Sequence, residues 1–218
     1  MGLAMHKDCL TGDGLNTLNA LSGTLHNLDA VLAGGTALAL QIGHRKSVDL
    51  DYFSQKEFRQ DSILSGVEEI GLPFQVVKEE MGTLIFSLGG MMISIFHYKY
   101  PFLDTQLFHG TKVASISDIG AMKLIAIIQR GARRDFIDLY FMLKEIPFHI
   151  IAEHAVKKFG AERINPLHAG KSLVYFTDAG GDPDPEYLPG HETDWEDVKA
   201  FFKNHVKQFV LDLEVAAR

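Results

Sequence analysis

The chain has 218 residues, 46% of them hydrophobic, with a single cysteine and a formal net charge of −7. That length buries a sizeable core unaided, and a lone Cys9 excludes both an intramolecular disulfide and a cysteine-built zinc ribbon. The acidic balance excludes a surface built throughout to neutralise nucleic-acid phosphates. It leaves room for a local basic site, such as "QRGARRD" with Arg130, Arg133 and Arg134. The N-terminus has no secretory h-region, and no run of about eighteen apolar residues occurs. We therefore expect a soluble, cytoplasmic protein without membrane contact.

Leu15, Leu18, Leu21, Leu25, Leu28 and Val31 recur at spacings of three and four, which predicts an amphipathic helix over 14–31. After Gly34-Gly35, "TALALQIG" reads as a short helix that Thr36 caps and Gly43 ends. "SVDLDYF" alternates polar and apolar residues and reads as a strand. Residues 56–71 suit a helix. "FQVVKEE", "GTLIFSLGG" and "MMISIFHYKYP" read as strands of one antiparallel sheet joined by tight turns. The segment "SDIGAMKLIAIIQRGARRDFIDLYFMLKE" is helical in pattern, started by Ser117 or Asp118 and interrupted at Gly131. Further helices are expected at 150–160 and 193–216, separated by a Pro/Gly/Asp-rich loop at 177–191. No internal repeat is present. A helix, a mixed sheet and then a helical half place a boundary near residue 115, giving a core at 1–115 and a helical portion at 116–218.

Side chains on a strand alternate faces, so Asp49 and Asp51 point one way while Val48, Leu50 and Tyr52 point the other. Two carboxylates on one face repel unless a cation sits between them. Mg²⁺ is the natural candidate, because it takes oxygen ligands, commonly one or two carboxylates plus substrate phosphates. The glycine pair supplies the other half: its backbone admits close approach, and the N–H groups opening the next helix form an anion site. The combination points to a metal–nucleotide site.

The blocks "GGTALALQIGHRKSVDLDYF", "KLIAIIQRGARRDFIDLYFML" and "SLVYFTDAGGDPDPEYLP" resemble those of the AbiEii/AbiGii-type nucleotidyltransferases. These are the toxin half of type IV toxin–antitoxin pairs, within the polymerase β-like superfamily. The resemblance spans residues 14 to 212. It implies an α/β (α+β) fold with a nucleotidyltransferase core, a mixed and largely antiparallel sheet, and a helical C-terminal portion. The activity implied is Mg²⁺-dependent transfer of a nucleoside monophosphate from an NTP to an acceptor such as tRNA, opposed by an antitoxin protein. On this chain Gly34, Gly35 and Thr36 would cradle the NTP phosphates, and Asp49 and Asp51 would be the catalytic metal ligands. Lys123, Arg130, Asp135 and Asp138 match the family's lysine and arginine/aspartate motif, with Lys123 and Asp138 catalytic and Arg130 on the nucleotide.

Many polymerase β-like enzymes carry a third carboxylate on a later strand, where "MMISIFHYKYP" offers Ser94 and His97 instead. That leaves Asp138, Asp135 or His97 as general base, with His97 otherwise an ordinary strand histidine. The competing account of the second block is an i,i+4 pair between Arg134 and Asp138 with Lys123 in water. Arg133 and Arg134 face water or guide an RNA backbone. His44, Arg45 and Lys46 touch phosphate or are solvated. Other readings are a nucleotide-binding pseudoenzyme, an interaction module, or a transferase acting on a protein or a small molecule.

Overall fold

The structure is a computed structural model that describes residues 5 to 218. It divides into two compact units, Met1–Ser115 and Ile116–Arg218. No helix among the described residues is long and apolar enough to cross a membrane.

In the first unit, α1 (Gly12–His26) starts where Thr11 Oγ1 accepts from the Gly14 N–H at 3.1 Å. It buries Leu18, Leu21 and Leu25 and stops before Leu28. Val31, expected on the same helix, instead opens strand β1 (Val31–Ala33). All of β1 is buried, so it has no polar alternation to distinguish it from a helix. Next come α2 (Gly34–Ile42), β2 (Asp49–Ser54), α3 (Gln60–Ile70), β3 (Phe74–Glu80), β4 (Thr83–Leu88) and β5 (Met91–His97). A hairpin of β6 (Thr105–Phe108) and β7 (Thr111–Ala114), which the sequence pattern does not predict, closes the unit. Its four-residue strands are too short to show a period, and its turn relies on positive φ at His109 and Gly110.

One seven-stranded sheet results, in the order β3-β4-β5-β2-β1-β7-β6. The β2–β5 and β1–β7 pairs are parallel and the other four are antiparallel, so the sheet is mixed and largely antiparallel, as expected. Leu50, Tyr52, Leu84, Phe86, Leu88, Ile93 and Ile95 are buried in its core. Helix α1 lies on the Leu50/Tyr52 face: Leu25 and Tyr52 line one cavity, and a Cβ at Gly14 would stand 3.2 Å from Met91 Sδ. α3 closes on α1 so tightly that a Cβ at Gly66 would lie 2.7 Å from Thr24 Cγ2.

The second unit holds α4 (Ile116–Gln129), α5 (Arg133–Glu145), α6 (Phe148–Phe159), α7 (Pro166–Leu173) and α8 (Trp195–Ala216). Gly131, at φ 57°, separates α4 from α5. α7 was not read from the sequence, although Asn165 caps it, accepting from the His168 N–H at 2.9 Å, and Pro166 opens it. Asp118 does not start α4. It is fully buried and accepts from Lys158 Nζ of α6 at 2.9 Å. Burial lowers the Lys158 pKa, against the pull of Asp118. Phe136 centres the aromatic core, 5.1 Å from Phe176, 5.9 Å from Trp195 and 5.5 Å from Phe202 between ring centroids.

Candidate active site

Along β2, half-buried Asp49, Asp51 and Phe53 alternate with buried Leu50, Tyr52 and Ser54. The two carboxylates therefore share a face. Antiparallel pairing sets Ala33, the last residue of β1, opposite Asp51, so the chain makes its glycine turn beside that carboxylate. A Cβ added at Gly34 would fall 2.8 Å from Asp51 Oδ2, closer than a side chain tolerates. Gly34 also holds φ at 70°, the left-handed region that glycine adopts without penalty. Both constraints apply at the one position.

No side chain caps α2, so the first N–H groups of Gly34, Gly35 and Thr36 are those a helix leaves without an intrahelical partner. Thr36 lies inside the helix rather than before it. Its hydroxyl is bonded to Ser47 Oγ at 2.6 Å and donates to the Asp49 carbonyl, which ties the glycine turn to the start of the carboxylate strand. Of the basic turn, Lys46 is exposed, while His44 and Arg45 are buried. A Cβ at Gly35 would run into Arg45 Nη2, so the guanidinium lies against the second glycine. A basic turn gives no local sign of such inward folding.

Register with β5 aligns Asp49 with Met92, Asp51 with Ser94 and Phe53 with Phe96. The site's face of β5 thus offers a serine where a third carboxylate is common. His97 pairs with Ser54, on the alternate face from the aspartates, which removes it from this site. Among the described residues no group of three or more His, Cys, Asp or Glu is gathered around a metal position. The donor set is two carboxylates, which fits Mg²⁺, an ion that completes its octahedron with water and phosphate oxygens.

The second unit brings together the other predicted residues. Lys123 Nζ stands 2.9 Å from Asp135 Oδ1 and 2.6 Å from Asp138 Oδ2. Arg130 donates to Asp135 twice, from Nε at 2.8 Å and Nη2 at 3.1 Å. Asp135 and Asp138 lie three apart on α5 and so share a face. Both are fully buried and Lys123 is 6% exposed, whereas the Arg130 side chain remains 55% exposed. Burial alone would raise the Asp135 pKa, yet the charges and hydrogen bonds of Lys123 and Arg130 hold it below the ordinary carboxylate value. Lys123 is therefore enclosed rather than solvated. Arg134 is exposed, and the carboxylate of Asp138 lies against Lys123.

Arg133 neither faces water nor is left for a nucleic acid. Its backbone N–H donates to Asp182 Oδ2 at 2.8 Å, its Nε to the Ala179 carbonyl at 3.1 Å, and its Nη2 to the Gly180 carbonyl at 3.1 Å. Nη1 donates to Asp184 Oδ1 at 3.0 Å, and the guanidinium lies 5.2 Å from the Trp195 ring centroid. The acidic loop is the receptor for this one arginine. Sequence separations near fifty residues hid the pairing.

Comparison with known proteins places these features in a family. A family model described as nucleotidyl transferase AbiEii toxin, type IV TA system, matches residues 17–85 and 92–212. The chain is 36% identical over 187 residues to aq_aa25, an uncharacterized protein of Aquifex aeolicus (strain VF5), covering 84% of this chain and 88% of that one. In fold it is similar to MenT4, a nucleotidyltransferase toxin of Mycobacterium tuberculosis, with a TM-score of 0.57, 18% identity, and 94% and 92% of the two chains covered. It is also similar to the antibiotic-resistance factor ANT(2'')-Ia, with a TM-score of 0.51, 12% identity, and 66% and 89% covered. The chain belongs to the AbiEii nucleotidyl transferase toxin family of type IV toxin–antitoxin systems and is an enzyme of the nucleotidyltransferase type.

Proposed function

We propose that this enzyme transfers a nucleoside monophosphate from an NTP to an RNA acceptor, tRNA being the expected one, with Mg²⁺ held by Asp49 and Asp51, in the cytoplasm and opposed by an antitoxin protein. The observation that carries this reading is the 2.8 Å approach of a Gly34 Cβ position to Asp51 Oδ2, because it sets an anion-binding helix start against a carboxylate pair. When bound, Mg²⁺ supplies neutralisation of the charge that develops on the triphosphate oxygens.

In the reaction an acceptor hydroxyl oxygen bonds to the α-phosphorus. The bond from that phosphorus to the bridging oxygen of the β-phosphate breaks, and pyrophosphate leaves with the electron pair. The N–H groups of Gly34, Gly35 and Thr36 hold the leaving phosphates, and Arg45 adds positive charge behind Gly35. The acceptor's proton passes to water, since Ser94 stands where a carboxylate base would. In the second unit, Asp135 and Asp138 hold Lys123, and Asp135 also fixes the partly exposed Arg130.

The test is label transfer with purified protein, Mg²⁺, each α-³²P-labelled NTP and total RNA or protein extract, alongside the Asp49→Ala/Asp51→Ala double variant. Label on tRNA with the wild type alone supports the reading. Label on protein alone would replace the acceptor, and transfer by the double variant would overturn the site.

A further inference from the structure

Resting on the nucleotidyl-transfer reading, we propose that an aromatic slot on the carboxylate face of the sheet holds the unpaired terminal base of a single-stranded nucleic-acid acceptor. A cavity of about 140 Å³ there is lined by Phe53, Phe102, Lys56 and Lys112, with Val31 and Asp29 among its other walls. It is smaller than the roughly 300–1,000 Å³ typical of drug-sized ligand sites, and suits a single planar ring system. Phe53 stands on the same face as Asp49 and Asp51, two positions beyond Asp51. At about 3.3 Å per strand residue that is about 6.6 Å from Asp51.

Direction assigns the occupant. β1 runs antiparallel to β2, pairing Val31 with Phe53 and Ala33 with Asp51, so the glycine turn continues from Ala33 away from Phe53. Along β2, Asp51 thus lies between the level of the glycine turn and the aromatic ring. An in-line displacement needs the attacking and leaving oxygens on opposite sides of the phosphorus. With pyrophosphate leaving toward Gly34–Thr36, the attacking hydroxyl enters from the Phe53 end.

The chemistry of the slot suits a nucleotide. Phe53 sits 6.3 Å from Phe102 between ring centroids, so two aromatic rings line the slot rather than one. Lys112, in register with Val31, reaches the same face, where it pairs with Asp29, and Lys56 donates to the Asn27 carbonyl at 3.1 Å. Stacking on aromatic rings with cations beside them is how proteins grip unpaired bases and their phosphates without reading sequence.

The experiment measures anisotropy of fluorescein-labelled single-stranded oligocytidylate and oligoadenylate decamers, and of a blunt RNA duplex, on the full chain. Phe102→Leu keeps apolar bulk without a π face, and Phe102→Trp keeps the face. We expect Leu to weaken single-strand binding by about 5- to 150-fold, the range for one lost base stack, and Trp to stay within about twofold. The KM for NTP should stay unchanged in Phe102→Trp, and the duplex should bind more weakly than the single strands. Equal affinity of wild type and Phe102→Leu would overturn the slot. So would a tenfold loss confined to NTP affinity, which would assign the slot to the incoming base. Asp51→Asn separates the two levels: retained transfer would sink the active-site assignment, whereas the slot is judged on anisotropy alone.

Discussion

Each unit carries a pair of aspartates, and the two pairs have opposite surroundings. Asp49 and Asp51 lie two apart on a strand, half-buried, beside a glycine turn. Asp135 and Asp138 lie three apart on a helix, fully buried, with Lys123 against both. The first arrangement leaves the carboxylates within reach of solvent. In the second the protein supplies the cation itself. Identical residue types therefore stand in different surroundings according to how deeply the fold encloses them.

The largest effect that should separate the pairs is on activity. Asp51→Asn should lower transfer by at least about a thousandfold, since a metal-mediated stabilisation is worth several kcal/mol, with a far smaller proportional change in stability. Kinetics and urea denaturation of the same preparation test both halves, and an active Asp51→Asn enzyme would end the assignment. Lys123→Ala should show the reverse pattern, losing about 3–5 kcal/mol of stability by removing the lysine from two buried carboxylates, of which Asp135 keeps Arg130. If that variant melted like the wild type but used NTP poorly, Lys123 would move from holding the second unit together to acting on substrate.

Gly34→Ala is intermediate. A non-glycine residue at φ 70° costs about 1–3 kcal/mol, and its Cβ would also displace the Asp51 carboxylate. Both stability and transfer should fall, and unchanged transfer would show that the close approach is dispensable. The smallest effect is on pH dependence. The Asp135 pKa is held below its unfolded value, so its contribution is fully present above about pH 4 and is lost as pH falls through the folded value. The stability gap between wild type and Asp135→Asn should therefore shrink below about pH 4 in urea titrations. A gap that stayed constant to pH 3 would contradict the ion pairing.

The legible parts of this protein were local. The face shared by Asp49 and Asp51 follows from strand alternation alone, the stop at Gly43 from its left-handed φ of 63°, and the break at Gly131 from glycine's freedom. Strand β1 was missed because three buried apolar residues have no period, and α1 was overextended for the same reason: Leu28 and Val31 continue a spacing that the chain does not follow.

What the sequence by itself determined, then, was the chemistry available and the local geometry that two-residue and helical periods dictate: a glycine turn, a carboxylate strand, a broken helix pair. Only the tertiary structure decided which charges are enclosed. Lys123 meets Asp135 twelve residues on, Arg133 reaches Asp184 across fifty-one, and Arg45 lies against Gly35, none of which leaves a local mark. The reason is physical. A side chain's charge state and role depend on burial and on partners, and both are settled by how distant segments pack.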